Sequence, residues 1–98
     1  MKISKNQIFQ RQTTLQEVGE QGQQKLQDAK VAVVGCGGLG SVAAVYLAAS
    51  GIGKLQLIDF DVVDVSNLHR QVFYTVDVVG KSKADVLANH INEMSPFV

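Results

Sequence analysis

At 98 residues the chain has room for one small hydrophobic core and no more. Its composition, 46% hydrophobic and 18% charged, excludes intrinsic disorder, and nine basic residues against nine acidic ones leave no net field to select nucleic acid or an anionic membrane. A single cysteine, Cys36, excludes an intrachain disulfide and a cysteine-built zinc site within these residues.

The longest apolar run, Val42 to Ala49, is far short of the roughly 20 residues that cross a bilayer. The first twelve residues lack the apolar core of a secretory signal, so the expectation is a cytoplasmic protein with neither a membrane nor a nucleic-acid partner.

In chain order, residues 1–29 read as an N-terminal helical segment. Asn6 to Asp28 is rich in glutamine, and Ile8, Phe9, Leu15, Val18 and Leu26 are too sparse for deep burial. This predicts two short amphipathic helices, broken near Gly19 and Gly22, lying on the surface of something larger. Residues 30–98 read as the first part of an ATP-binding, Rossmann-like adenylation domain. Val31 to Val34 is a β-branched run without polar alternation, the pattern of a strand covered on both faces. It enters Gly35-Cys-Gly-Gly-Leu-Gly-Ser41, after which Leu39, Val42, Ala43, Tyr46, Leu47 and Ala49 fall at helical spacing until Ser50-Gly-Ile-Gly53.

Lys54 to Ile58 alternates as a second strand and delivers Asp59 and Asp61 to the C-terminal edge of the sheet. A loop follows from Val62 to about Gly80. The last helix is predicted over Lys81 to Met94, with Ala84, Leu87, Ala88 and Ile91 on one face, and Phe97-Val98 as the first step of a third strand. The fold class is α/β: a Rossmann-like parallel βαβ unit preceded by short N-terminal helices, truncated before the rest of the sheet. Two parallel strands do not make a stable sheet alone, so the exposed edge favours a homodimer.

Gly35, Gly37 and Gly40 satisfy G-x-G-x-x-G between a strand and a helix. The first glycine permits a tight turn, the second lets backbone approach phosphate, and the third lets helix pack on strand. Gly38 adds a further position free of side chain, and the helix N-terminus offers N–H groups to an anion. Asp59 stands 19 positions beyond Gly40, placed to accept hydrogen bonds from ribose hydroxyls. These features alone leave a dinucleotide such as NAD and ATP both open. Arg70 and Lys83 argue for ATP, because reaction at an α-phosphorus needs cations on the phosphoryl oxygens and on the departing pyrophosphate.

Gly-Cys-Gly-Gly-Leu-Gly, Asp-Phe-Asp, Ser-Asn-Leu-His-Arg-Gln and Val-Gly-Lys-Ser-Lys, with the leading Arg11-Gln12 and Gly22 to Leu26, resemble the MoeB/ThiF family from about Phe9 to Pro96. These are sulfur-carrier adenylyltransferases related to ubiquitin-activating enzymes. The resemblance implies ATP-dependent adenylation of the C-terminal glycine of a ubiquitin-like sulfur-carrier protein, in molybdopterin or thiamine biosynthesis. It implies nucleotide contacts from Gly37, Gly38 and Gly40, a ribose contact from Asp59 with Asp61 nearby, and phosphate contacts from Asn67, Arg70 and Lys83. Arg11 matches an arginine that homodimers of the family insert into the partner's site. It further implies Mg2+, positioned by an aspartate expected beyond Val98, and structural zinc whose ligands are not in this chain. Cys36, inside the turn, is not expected to act as a nucleophile, and His69 and His90 read as solvated or locally hydrogen-bonded. The alternatives are a dinucleotide-binding module and a non-catalytic fragment.

Overall fold

A computed structural model describes residues 3–69, 71, 73–95 and 97–98. Helix α1 (Lys5–Thr13) opens on a reciprocal cap: the Gln7 N–H donates to Ser4 Oγ at 3.2 Å and the Ser4 N–H to Gln7 Oε1 at 2.9 Å. Helix α2 (Gly19–Asp28) follows, and Gly22 lies within it, its N–H donating to the Val18 carbonyl at 2.9 Å. The expected break at Gly22 is therefore corrected. An interior glycine costs a helix only about 1 kcal/mol, less than the packing of the helix recovers.

Strands β1 (Lys30–Val34) and β2 (Lys54–Ile58) pair in parallel, from Lys30 opposite Lys54 to Val34 opposite Ile58. Helix α3 (Gly38–Ser50) connects them and ends on Gly51, which takes the left-handed conformation at φ 102°. The architecture is α/β, as expected. Strand β1 is not covered on both faces: Val31 and Val33 are half-buried, while Lys30, Ala32 and Val34 are exposed. Its β-branched residues suit a two-sided burial, but α3 and α4 (Lys83–Met94) both contribute to a single core, with Val33, Leu55 and Leu57 of the sheet packed against it.

That core holds Ala44, Val45 and Ala48 of α3, Leu87 and Ile91 of α4, and Cys36, Val63 and Tyr74 of the connections. The inward face of α3 is thus Ser41, Ala44, Val45 and Ala48, not the predicted set; Leu39 is 90% exposed and Tyr46 71%. Apolar residues surround this helix on every side, so periodicity could not choose a face, and the close approach of Gly40 to the turn chose it.

Ser82 caps α4, its Oγ accepting from the Asp85 N–H at 3.4 Å, so the helix starts two residues later than predicted. Leu87 and Ile91 are buried as expected, with Ala84 and Ala88 partly so. The 62–80 connection contains two 3-10 turns, Val65–Asn67 and Val76–Val78, and an antiparallel bridge joins Val62 to Ser82. Phe97-Val98 forms no strand: Phe97 lies in a turn, and the Val98 N–H donates to the Ser95 carbonyl. Among the described residues no helix is long and apolar enough to cross a membrane.

Candidate nucleotide-binding site

The turn after β1 is held to the end of β2. Gly35, at φ 94°, donates its N–H to the Ile58 carbonyl at 2.8 Å, a conformation that a side chain would strain. A Cβ on Gly40 would stand 1.7 Å from the Gly35 carbonyl oxygen, so only glycine lets α3 begin this close to the strand. Gly37 precedes the helix and supplies no side-chain cap. The first N–H groups of α3, from Gly38 onward, are thereby left for a ligand.

Asp59 lies at the end of β2 and faces this turn. Its Oδ2 accepts from the Cys36 N–H at 2.6 Å and its Oδ1 from the Asp61 N–H at 2.7 Å. Burial alone would push this carboxyl up, but the Cys36 and Asp61 N–H groups and the charge of Lys83 outweigh it and hold Asp59 below the usual carboxylate value of 3.8. The carboxylate is half-buried and ionised, and it keeps spare acceptor capacity beyond these two bonds. Asp59 therefore braces the turn as well as presenting an acceptor at the sheet edge.

Lys83 enters from a third segment. It is only 5% exposed, and its N–H donates to the Asp61 carbonyl at 3.1 Å, which ties the start of α4 to the residues after β2. A lysine this buried is uncommon without an opposite charge nearby, and Asp59 supplies one. Cys36 is fully buried; burial, with a smaller contribution from the Asp59 charge, pushes its thiol up and keeps it protonated, which leaves it inert as a nucleophile.

The structure thus brings together Gly37, Gly38, Gly40, Asp59, Asp61 and Lys83. Asn67, partly exposed in the first 3-10 turn, joins them through the chain, its carbonyl accepting from the Gln71 N–H at 2.9 Å. Arg70 lies outside the described residues. Arg11 is not in this group. It is exposed on α1, whose Gln12 reaches the Ser50 carbonyl at the far end of α3. The 13 residues of α3 put that end about 20 Å from the glycine turn.

Two residues went unassigned in the sequence. Tyr74, 3% exposed, donates its hydroxyl to the Cys36 carbonyl, and burial raises its pKa so that it stays a donor. Gln71, 5% exposed, sits against the turn: a Cβ on Gly37 would meet its Nε2 at 3.5 Å. Its Oε1 is buried with no hydrogen-bond partner among the described residues. Only the last letter of the Ser66 to Gln71 motif signalled it, and nothing in the sequence singled out Tyr74. His69 is exposed, and His90 packs beside Phe73 with ring centroids 5.3 Å apart.

A concavity of about 210 Å3 is bordered by Val34, Gly35, Ile58, Asp59, Phe60 and Asp61. The wider hollows, about 450 and 470 Å3, lie elsewhere, against β2 and α4 and along both strands, where the sheet has no further layer in this chain. Size therefore does not mark the site; chemistry does. Uncapped helix N–H groups, a buried lysine, an ionised acceptor at the sheet edge and an orphaned carboxamide together fit a nucleotide phosphate better than an apolar ligand.

The chain is 50% identical to the adenylyltransferase and sulfurtransferase MOCS3 of Xenopus laevis over 90 residues, covering 92% of this chain and 20% of that protein. It is 46% identical to the sulfur carrier protein adenylyltransferase of Thermus thermophilus, covering 92% of this chain and 33% of that one. It therefore spans between a fifth and a third of the length of these relatives. Among solved structures, TcdA (CsdL) matches with 42% identity and a TM-score of 0.86 over 99% of this chain and 38% of its own. Escherichia coli MccB with ATP matches at 43% and 0.76, over 78% of this chain and 23% of its own. The sequence pattern of the ThiF family matches residues 9–98, and with the strand, glycine turn and helix in the same order the chain belongs to the ThiF family.

Proposed function

We propose that this chain carries the nucleotide-binding part of an enzyme that uses ATP to adenylate the C-terminal glycine of a ubiquitin-like sulfur-carrier protein, in molybdopterin or thiamine biosynthesis. The observation that carries the reading is the convergence of three separate segments on one sheet edge: the glycine turn, Asp59 with Asp61, and Lys83 buried beside them. The names of the relatives, adenylyltransferases of sulfur carriers and of molybdopterin synthase, support the substrate class. They give no support to a dinucleotide-binding module.

In the proposed reaction a carboxylate oxygen of the terminal glycine attacks the α-phosphorus. The bond from that phosphorus to the bridging oxygen breaks, and pyrophosphate leaves with its electrons. No proton moves, so no general base is needed. The N–H groups of α3 and the Lys83 ammonium take up charge on the phosphoryl oxygens, while Asp59 accepts from the ribose. Asn67 and Arg70 add further phosphate contacts. Magnesium bound to ATP would neutralise part of the phosphate charge.

Arg11 serves a second copy. Its neighbour Gln12 is fastened to the Ser50 carbonyl at the opposite end of α3 from the glycine turn, whereas in a homodimer the exposed guanidinium of Arg11 can reach the partner's triphosphate. A second reading is that the chain alone binds nucleotide without turnover.

Calorimetric titration tests the assignment. ATP is expected to bind, NAD is not, and Lys83→Met is expected to weaken ATP roughly 10- to 100-fold by removing a charge-assisted contact. Tight NAD binding with no response to ATP overturns the adenylation reading. Carrier-dependent exchange of pyrophosphate into ATP then separates turnover from binding alone.

A further inference from the structure

The orphaned carboxamide of Gln71 has no role in the reading above. Buried side-chain polar atoms nearly always have a partner, and one left without a partner destabilises the fold. Gln71 is 5% exposed, and its Oε1 is buried and unpaired among the described residues. Its backbone is fully engaged, the N–H donating to the Asn67 carbonyl at 2.9 Å and the carbonyl accepting from the Tyr74 N–H at 3.1 Å. Tyr74 is in turn fastened to the Cys36 carbonyl inside the glycine turn. The side chain is thus held within a short turn, against Gly37, with its Oε1 left without a partner among the described residues.

We propose that Gln71 is a ligand-contacting residue of the nucleotide site, whose buried carboxamide completes its hydrogen bonds only on the polyphosphate of bound ATP and the water that accompanies it. The proposal rests on the ATP reading and adds one neutral contact to it. A carboxamide suits the position because it offers a donor and an acceptor on one planar group. Nε2, on the Gly37 side, donates to a phosphoryl oxygen; Oε1 accepts from water in the phosphate shell. Being uncharged, it does so without disturbing the balance between Lys83 and Asp59. A glutamine present only to fill space would leave nucleotide affinity indifferent to its chemistry.

The test sets stability against affinity. Gln71→Met keeps the length of the side chain and deletes the unpaired Oε1, so its Tm is expected to rise. Its ATP affinity is expected to fall about tenfold, with adenosine competing equally against both proteins, which assigns the loss to the phosphates. Gln71→Glu, of the same shape, places a negative charge beside the phosphates and is expected to weaken ATP further. It carries the test should the methionine variant not fold. Wild-type ATP affinity in the Met variant, or in the Glu variant if only that one folds, overturns the role of Gln71 and leaves the ATP reading standing. Absence of ATP binding by the wild-type chain overturns both.

Discussion

The two ends of helix α3 use glycine against the same kind of obstacle and for different purposes. At the N-terminal end a Cβ on Gly40 would stand 1.7 Å from the Gly35 carbonyl oxygen, and just past the C-terminal end a Cβ on Gly53 would stand 1.7 Å from the Gln27 carbonyl oxygen. Both glycines let two backbone segments touch. Past the C-terminal end, the protein then closes the contact itself. Gln12 Nε2 donates to Gln23 Oε1 at 2.9 Å and to the Ser50 carbonyl at 3.0 Å, and Gln23 Nε2 reaches the same carbonyl at 3.3 Å. At the N-terminal end no side chain caps the helix. The end of α3 proposed to bind nucleotide is thus the one whose helix N–H groups no side chain caps.

Exchanging the two glycines in turn gives the largest effect. Gly40→Ala and Gly53→Ala each force a backbone shift and are expected to cost about 3 kcal/mol, read by urea denaturation. They part in function: Gly40→Ala is expected to abolish measurable ATP binding, and Gly53→Ala to keep wild-type affinity at temperatures where it is folded. Equal loss of affinity in both would erase the distinction between the ends.

How far this distinction could be read in advance depended on the kind of signal. Gly35, Gly40 and Asp59 were legible because each answers a local geometric demand that few residues meet. The inward face of α3 was not, because apolar residues occupy all its sides and the choice between Val42 and Val45 is made by what lies opposite. The two-sided burial expected of Val31 to Val34 was overread for a related reason: β-branched residues report which environments a strand tolerates, not which layers are present. Gln71 and Tyr74 act through contacts with residues 34 to 38 positions away in the chain, such as the Cys36 carbonyl that Tyr74 reaches, and no local pattern encodes these.

A smaller effect is expected from the closed end. Gln23 is 5% exposed, and Gln23→Leu leaves Gln12 without its Gln23 partner, at an expected cost of about 1–3 kcal/mol. Hydrogen exchange should quicken in the amides of α1, which Gln12 fastens to Ser50, while ATP affinity stays within twofold of wild type. A large loss of ATP affinity would show that the two ends are coupled through α3.

The smallest effect concerns the ionisation of Asp59, and it appears only in acid. Burial pushes this carboxyl up, yet the Cys36 and Asp61 N–H groups and the Lys83 charge bring its folded value below 3.8. A carboxyl lowered on folding stabilises the protein above its unfolded pKa, and the contribution is lost as pH falls through the folded value. Asp59→Asn should therefore be less stable than wild type at pH 7, and the gap should narrow as pH falls below 3.8 and close once pH has fallen through the lowered folded value. Asp64, lowered by the Ser66 hydroxyl and N–H, and Asp77, lowered by the Thr75 hydroxyl, titrate in the same range. Both are present in either protein and cancel in the difference. A gap that stays constant from pH 7 to pH 2 would show that the glycine turn is braced by the shape of residue 59 and not by its charge.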